Sequence, residues 1–115
     1  VKKKNRVYFL HILDAIYWIE EYTRGMDHDT FFENHLVQDG VLKQIEVIGE
    51  AAKHISSDVT DAYPAVPWND MVGMRDFVVH NYFNVDVEAV FKTVIIDIPL
   101  LKEWITEILR DFKEP

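Results

Sequence analysis

The sequence predicts an all-α protein, a compact antiparallel bundle of about four to five helices with the last one kinked near Pro99. Two observations carry that expectation. Apolar residues recur at spacings of three and four along most of the chain, the period of one helix face. Punctuation is sparse, with four Gly and four Pro in 115 residues, and no stretch alternates apolar with polar as a half-buried strand would.

The first helix is expected from about Arg6 to Arg24, with Phe9, Ile12, Leu13, Ile16 and Ile19 inward and Gly25 ending it. His11 has no ligand partner at helical spacing on this segment and reads as a surface histidine. Residues 29–35 follow as a short helix with an Asp at its start, and Thr30, Phe31 and Phe32 are expected to close the core. His28 and His35, with Asp27, Asp29 and Glu33 nearby, superficially suggest a metal site, but an acidic surface supplies such carboxylates anyway. The third helix covers about Val37 to Ser57 on a stripe of Val41, Ile45, Ile48, Ala52 and Ile55, and Gly49 within it suits close approach of a neighbour. Tyr63-Pro64-Ala65-Val66-Pro67 then forces a turn. A helix from about Trp68 to Tyr82 follows. Asp86 is placed to cap the last helix, with Glu88 at the positive end of its dipole. Val87, Val90, Phe91, Val94 and Ile95 continue that helix, then Ile98, Leu101, Trp104, Ile105, Ile108 and Leu109; Pro99 is expected to kink or interrupt the run at about Asp97, giving one bent helix or two. So much apolar surface exceeds the needs of one small core and suggests a subunit contact.

Composition narrows the function. A chain of this length reads as one domain, residues 1–115, without linker or repeat. It has no Cys, which removes disulfides, thiolate metal sites and cysteine nucleophiles and fits a reducing compartment. No apolar run approaches the roughly 20 residues that span a bilayer, so a soluble, cytoplasmic protein is expected. The net charge of -8 argues against indiscriminate nucleic-acid binding, although a small cleft can be locally positive.

Chemistry concentrates in Met74-Arg75-Asp76-Phe77-Val78-Val79-His80-Asn81-Tyr82-Phe83, where polar groups are set into an apolar segment. If this is helix, Arg75 and Tyr82 fall within roughly 20° of each other two turns apart, whereas Arg75 and His80 are about 140° and about 7.5 Å apart. A helix end that frays near Asn81, or a two-fold axis bringing in a second copy, would reunite them. There is no Gly-rich phosphate loop, no nucleophile elbow and no two-metal cluster. Histidine can move a proton at neutral pH, and an arginine fork stabilises charge on phosphorus. That pair suits RNA cleavage by the substrate's own 2′-hydroxyl, with no metal or cofactor. A purely structural role is also open: Arg75 paired with Asp76 or Glu50, His80 capping its helix, Tyr82 a core aromatic.

Arg75, the polar Asp76, His80 and Tyr82 match an R-x4-H-x-Y signature, and with Ile48-Gly49-Glu50-Ala51-Ala52-Lys53, Tyr63-Pro64-x-x-Pro67-Trp68 and Tyr82-Phe83-Asn84-Val85-Asp86 the chain resembles HEPN-domain ribonucleases of the HepT-like branch, from about Arg6 to Leu109. The resemblance implies an endoribonuclease toxin of a prokaryotic two-component (type VII-like) pair. In it Arg75 and His80 are catalytic, Asp76, Asn81 and Glu50 are supporting, and the site is a composite homodimer cleft. It further implies a minimal nucleotidyltransferase antitoxin encoded nearby, and Tyr82 as the residue to which that partner transfers AMP. The alternative is a non-catalytic helical binding or substrate-binding partner of such a nucleotidyltransferase.

Overall fold

The structure, a computed structural model, describes residues 3–80 and 86–111, and the side chains of residues 3, 4, 75 and 77–80 lie outside that description. Its helices are α1 (Lys3–Thr23), α2 (His28–Glu33), α3 (His35–Lys53), α4 (Ser57–Ala62), α5 (Trp68–His80), α6 (Val87–Lys92) and α7 (Ile98–Asp111). A π-helical turn, Thr93–Asp97, joins α6 to α7. Among the described residues there is no strand. The all-α bundle is as predicted.

Helix α1 buries Phe9, Ile12, Ile16 and Ile19 of its expected stripe, and Ala15 with them, while Leu13 is only partly buried. It stops where Gly25 adopts a φ of 73°, a left-handed conformation that costs glycine little. Helix α3 lies antiparallel to α1. Near one end Tyr8 stacks on His54, with ring centroids 5.3 Å apart, and near the other Tyr22 sits over Gly40. A Cβ on Gly40 would come 3.0 Å from the Tyr22 ring, so glycine permits the close approach there. The far side of α3 packs along α5, and α7 lies against α1.

The first short helix departs from expectation for a local reason. Helix α2 begins at His28 and is capped by Asp27, whose side chain accepts from Thr30 N at 2.8 Å. The same bond holds the Asp27 carboxyl below the usual carboxylate range. Asn34 ends α2 and caps α3 by accepting from Val37 N at 3.0 Å. One short helix offers one inward face, so Phe31 is fully buried while Thr30 and Phe32 are exposed, Phe32 at 40%.

Helix α3 stops at Lys53 instead of running on to Ser57, and a helix absent from the prediction, α4, follows. The cause is a bond across 51 residues. Asn5, only 2% exposed, donates through Nδ2 to Ser56 Oγ (2.9 Å) and accepts from Ser56 N (3.0 Å) through Oδ1. Ser56 is thereby held extended, which ends one helix and starts the next.

The last run is not broken at Pro99. Proline lacks an N–H and crowds the carbonyl four residues back, here that of Ile95. The chain accommodates this with one wide turn in which Ile98 N–H bonds to Thr93 O, five residues earlier. Val90, Val94, Ile98, Leu101, Ile105 and Ile108 remain buried, but Ile95, expected in the core, is 55% exposed and Ile96 is 56% exposed.

Asn5→Ala removes both halves of the tie and leaves the Ser56 N–H without its acceptor. It should cost about 1–3 kcal/mol, read as a lowered midpoint in urea unfolding with an unchanged slope.

Candidate active site on the fifth helix

The turn that delivers the motif helix is closed by its first residue. Tyr63 O accepts from Val66 N (3.2 Å) and from Trp68 Nε1 (3.0 Å), and the Trp68 ring packs 6.4 Å from Phe9. The indole thus fixes where α5 starts relative to α1. Asp70 in the first turn complements the helix dipole.

From Trp68 to His80 the helix is unbroken, which places Arg75 and His80 on one rigid element. Five residues of α-helix separate the two positions by about 140° around the axis and about 7.5 Å along it. Position 80 falls on the face of Asn69, Gly73 and Asp76, all exposed, and a Cβ on Gly73 would meet nothing within 4 Å. Position 75 falls near the face of Met71, which is buried. The helix therefore offers two different sides to its two motif positions. Asn81 and Tyr82 lie outside the described residues, as do the Arg75 and His80 side chains, so contacts predicted among them are not described.

Glu50 is half-buried on α3, and its Oε1 lies 3.2 Å from His54 Nε2. With Tyr8, His11, Lys43 and Glu46 it lines a groove of about 200 Å³ between α1 and α3. The predicted pairing of Glu50 with Arg75 rests on a side chain outside the description. His11 is exposed, as expected, with its ring edge-on to Tyr8. The partnership of His54 with Tyr8 and Glu50 was not anticipated. Its signal was available in part, since Glu50 and His54 stand four apart on one helix face.

Behind α5 lies an apolar cavity of about 190 Å³, lined by Ile48, Met71, Met74, Ile98, Leu101 and Trp104 among others. Asp70, Thr93 and Asp97 contribute polar groups to its lining. Among the described residues no three His, Asp or Glu side chains gather as metal ligands. His28 instead contacts Asp29 and Glu88. No helix among the described residues is long and apolar enough to cross a membrane.

Residues 12–108 match the family model described as Ribonuclease HepT-like. The chain belongs to that family. It is 41% identical over 102 residues to the "Probable ribonuclease HepT" of Thermococcus cleftensis, covering 89% of this chain and 93% of that one. It is 34% identical over 113 residues to a "Putative RNase" of Methanocaldococcus jannaschii, covering 98% and 97%. A "Gamma-glutamylcyclotransferase and putative RNase" of the same organism is 39% identical over 111 residues, 96% of this chain, and the chain spans only 50% of that protein's length. No solved structure matches the chain.

Met71→Ala, which empties volume beside the existing cavity, should cost about 2–5 kcal/mol in chemical unfolding.

Proposed function

We propose that the protein is a metal-independent endoribonuclease whose site is completed by a second copy of the chain. The observation that carries this reading is the R-x4-H-x-Y pattern, Arg75 to Tyr82, beginning on the last two turns of α5 within the span that matches the HepT-like ribonuclease family. In the reaction the 2′-hydroxyl of RNA attacks the adjacent phosphorus. His80 acts as general base or acid, taking the 2′ proton or returning one to the departing 5′-oxygen. The bond from phosphorus to that oxygen breaks, leaving a 2′,3′-cyclic phosphate and a free 5′-hydroxyl. Arg75 stabilises the charge on the phosphoryl oxygens through its planar fork. Asp76 and Asn81 support the orientation of the pair, and Glu50 is the candidate on α3 for the same task.

The helix geometry supports a two-fold. Positions about 140° apart on one straight helix do not converge unaided on one phosphate, whereas a two-fold that sets the same helix of a second copy opposite supplies both groups twice to a shared cleft. A cleft so built is locally basic even though the chain carries a net charge of -8.

In biological terms the protein acts as the toxin of a cytoplasmic pair with a minimal nucleotidyltransferase antitoxin. Attack of the Tyr82 hydroxyl on the α-phosphorus of ATP, with loss of its proton and release of pyrophosphate, places a phosphodiester anion in the cleft, where it competes with RNA for Arg75.

Purified protein should cleave single-stranded RNA in EDTA, leave cyclic phosphate ends and spare DNA of the same sequence. His80→Ala should lower the rate by about 10²- to 10⁴-fold, and retention of full activity by that variant removes His80 from the mechanism. Inactive Arg75→Ala and His80→Ala chains, once mixed, should regain activity as heterodimers, because one of the two clefts is then intact.

Co-expression with the neighbouring nucleotidyltransferase should leave AMP on Tyr82, detected by peptide mass spectrometry, and not with a catalytically dead partner. Equal neutralisation of Tyr82→Phe and wild type would instead assign inhibition to masking of the cleft.

A further inference from the structure

His28 stands at the join between α2 and α6, and both its ring nitrogens face carboxylates. Nε2 is 2.8 Å from Glu88 Oε2 and Nδ1 is 3.2 Å from Asp29 Oδ1. A neutral imidazole has one N–H and one lone pair, so it satisfies one of these contacts and turns a lone pair toward the other carboxylate. Only the imidazolium donates to both. The ring also stacks on Phe32, centroids 4.7 Å apart, and meets Phe91 edge-on at 5.6 Å. Aromatic faces within about 6 Å favour a cation.

The groups around His28 agree in sign. Its own helix brings Asp27 and Asp29, and α6 brings Glu88 in its first turn. The Glu88 and Asp29 hydrogen bonds raise the His28 pKa above its ordinary value.

We infer that His28 is a positioning residue, a proton-dependent clamp that holds the first turn of α6 against α2. Glu88 lies eight residues after His80, so the clamp fixes the near end of the chain on the far side of the motif. The clamp joins elements 60 residues apart in sequence. Its influence on cleavage rests on the ribonuclease reading above, while its existence does not.

The sign follows from the raised pKa. A histidine whose folded pKa exceeds its unfolded value near 6.5 adds stability that is fully present below about pH 6.5. That contribution is lost as pH rises through the folded value. The clamp is closed in mildly acidic solution and released in alkaline solution.

The test compares wild type with His28→Gln and Glu88→Gln. By NMR the His28 ring should titrate above the ordinary histidine range in wild type, and Glu88→Gln should move it down. Amide protection factors at Ala89 and Val90, corrected for intrinsic exchange, should fall by about three- to tenfold between pH 6 and pH 8 in wild type. They should stay flat across that range in both variants. An ordinary or lowered His28 titration, or equal pH dependence in all three proteins, overturns the clamp. If wild type cleaves RNA, its rate relative to His28→Gln should decline over the same pH range. Should wild type prove inactive, the NMR readouts still decide the clamp while the ribonuclease reading alone fails.

Discussion

Helix α3 has two sides to bury, and the placement of everything else depends on that. Its buried residues, Val41, Leu42, Ile45, Ile48, Gly49, Ala51 and Ala52, cover about half the circumference. An ordinary surface helix presents a single stripe of about 100°. Half a circumference requires neighbours on both flanks, and α1 and α5 supply them. The motif helix is therefore held by apolar packing, through Met71 and its neighbours.

The parts legible in the sequence were those whose information is local. Periodicity located the long helices, Gly25 ended the first, and Asp86 caps α6 by accepting from Ala89 N. What escaped was set by contacts distant in sequence. No local window contains Asn5 and Ser56 together, so α4 and the early end of α3 were hidden. The π turn was half legible: Pro99 announced a disturbance, but a proline does not say whether a helix breaks, bends or widens. The extra residue in that turn is why Ile95 and Ile96 face outward when simple periodicity puts Ile95 inside. At the site, the spacing of Arg75 and His80 already contained the angular offset that the helical backbone now carries. The roles of their side chains rest on chemistry and family membership.

Electrostatics is organised on a finer scale than net charge. Of the cations, Arg24, just past the end of α1, pairs with Glu21 in its last turn and Lys102 reaches Glu20 on α1 at 3.1 Å. These exposed pairs contribute little to stability individually. They do consume positive charge, and with 20 acidic against 12 basic residues no general attraction for RNA remains. A ribonuclease of this composition has to concentrate its cationic charge where cleavage occurs. Under the proposed reading, two copies of Arg75 around a two-fold would do so at no cost in net charge per chain, which would make self-association and chemistry a single requirement.

The π turn bears on the same requirement. By turning Ile95 and Ile96 outward beside the exposed Leu100, it leaves three large apolar side chains in solvent on the helical run that follows the motif. A proline that merely broke the helix would free its ends to fold these residues inward. A widened turn keeps α6 and α7 continuous, so the buried series from Val90 to Ile108 stays in register with α1 while the displaced isoleucines remain outside. The cost of exposing them is about 1.5–3 kcal/mol per fully exposed side chain, reduced here because each is only half exposed. A surface of that kind is relieved by contact with another apolar surface, and the proposed two-fold would be one arrangement that supplies it.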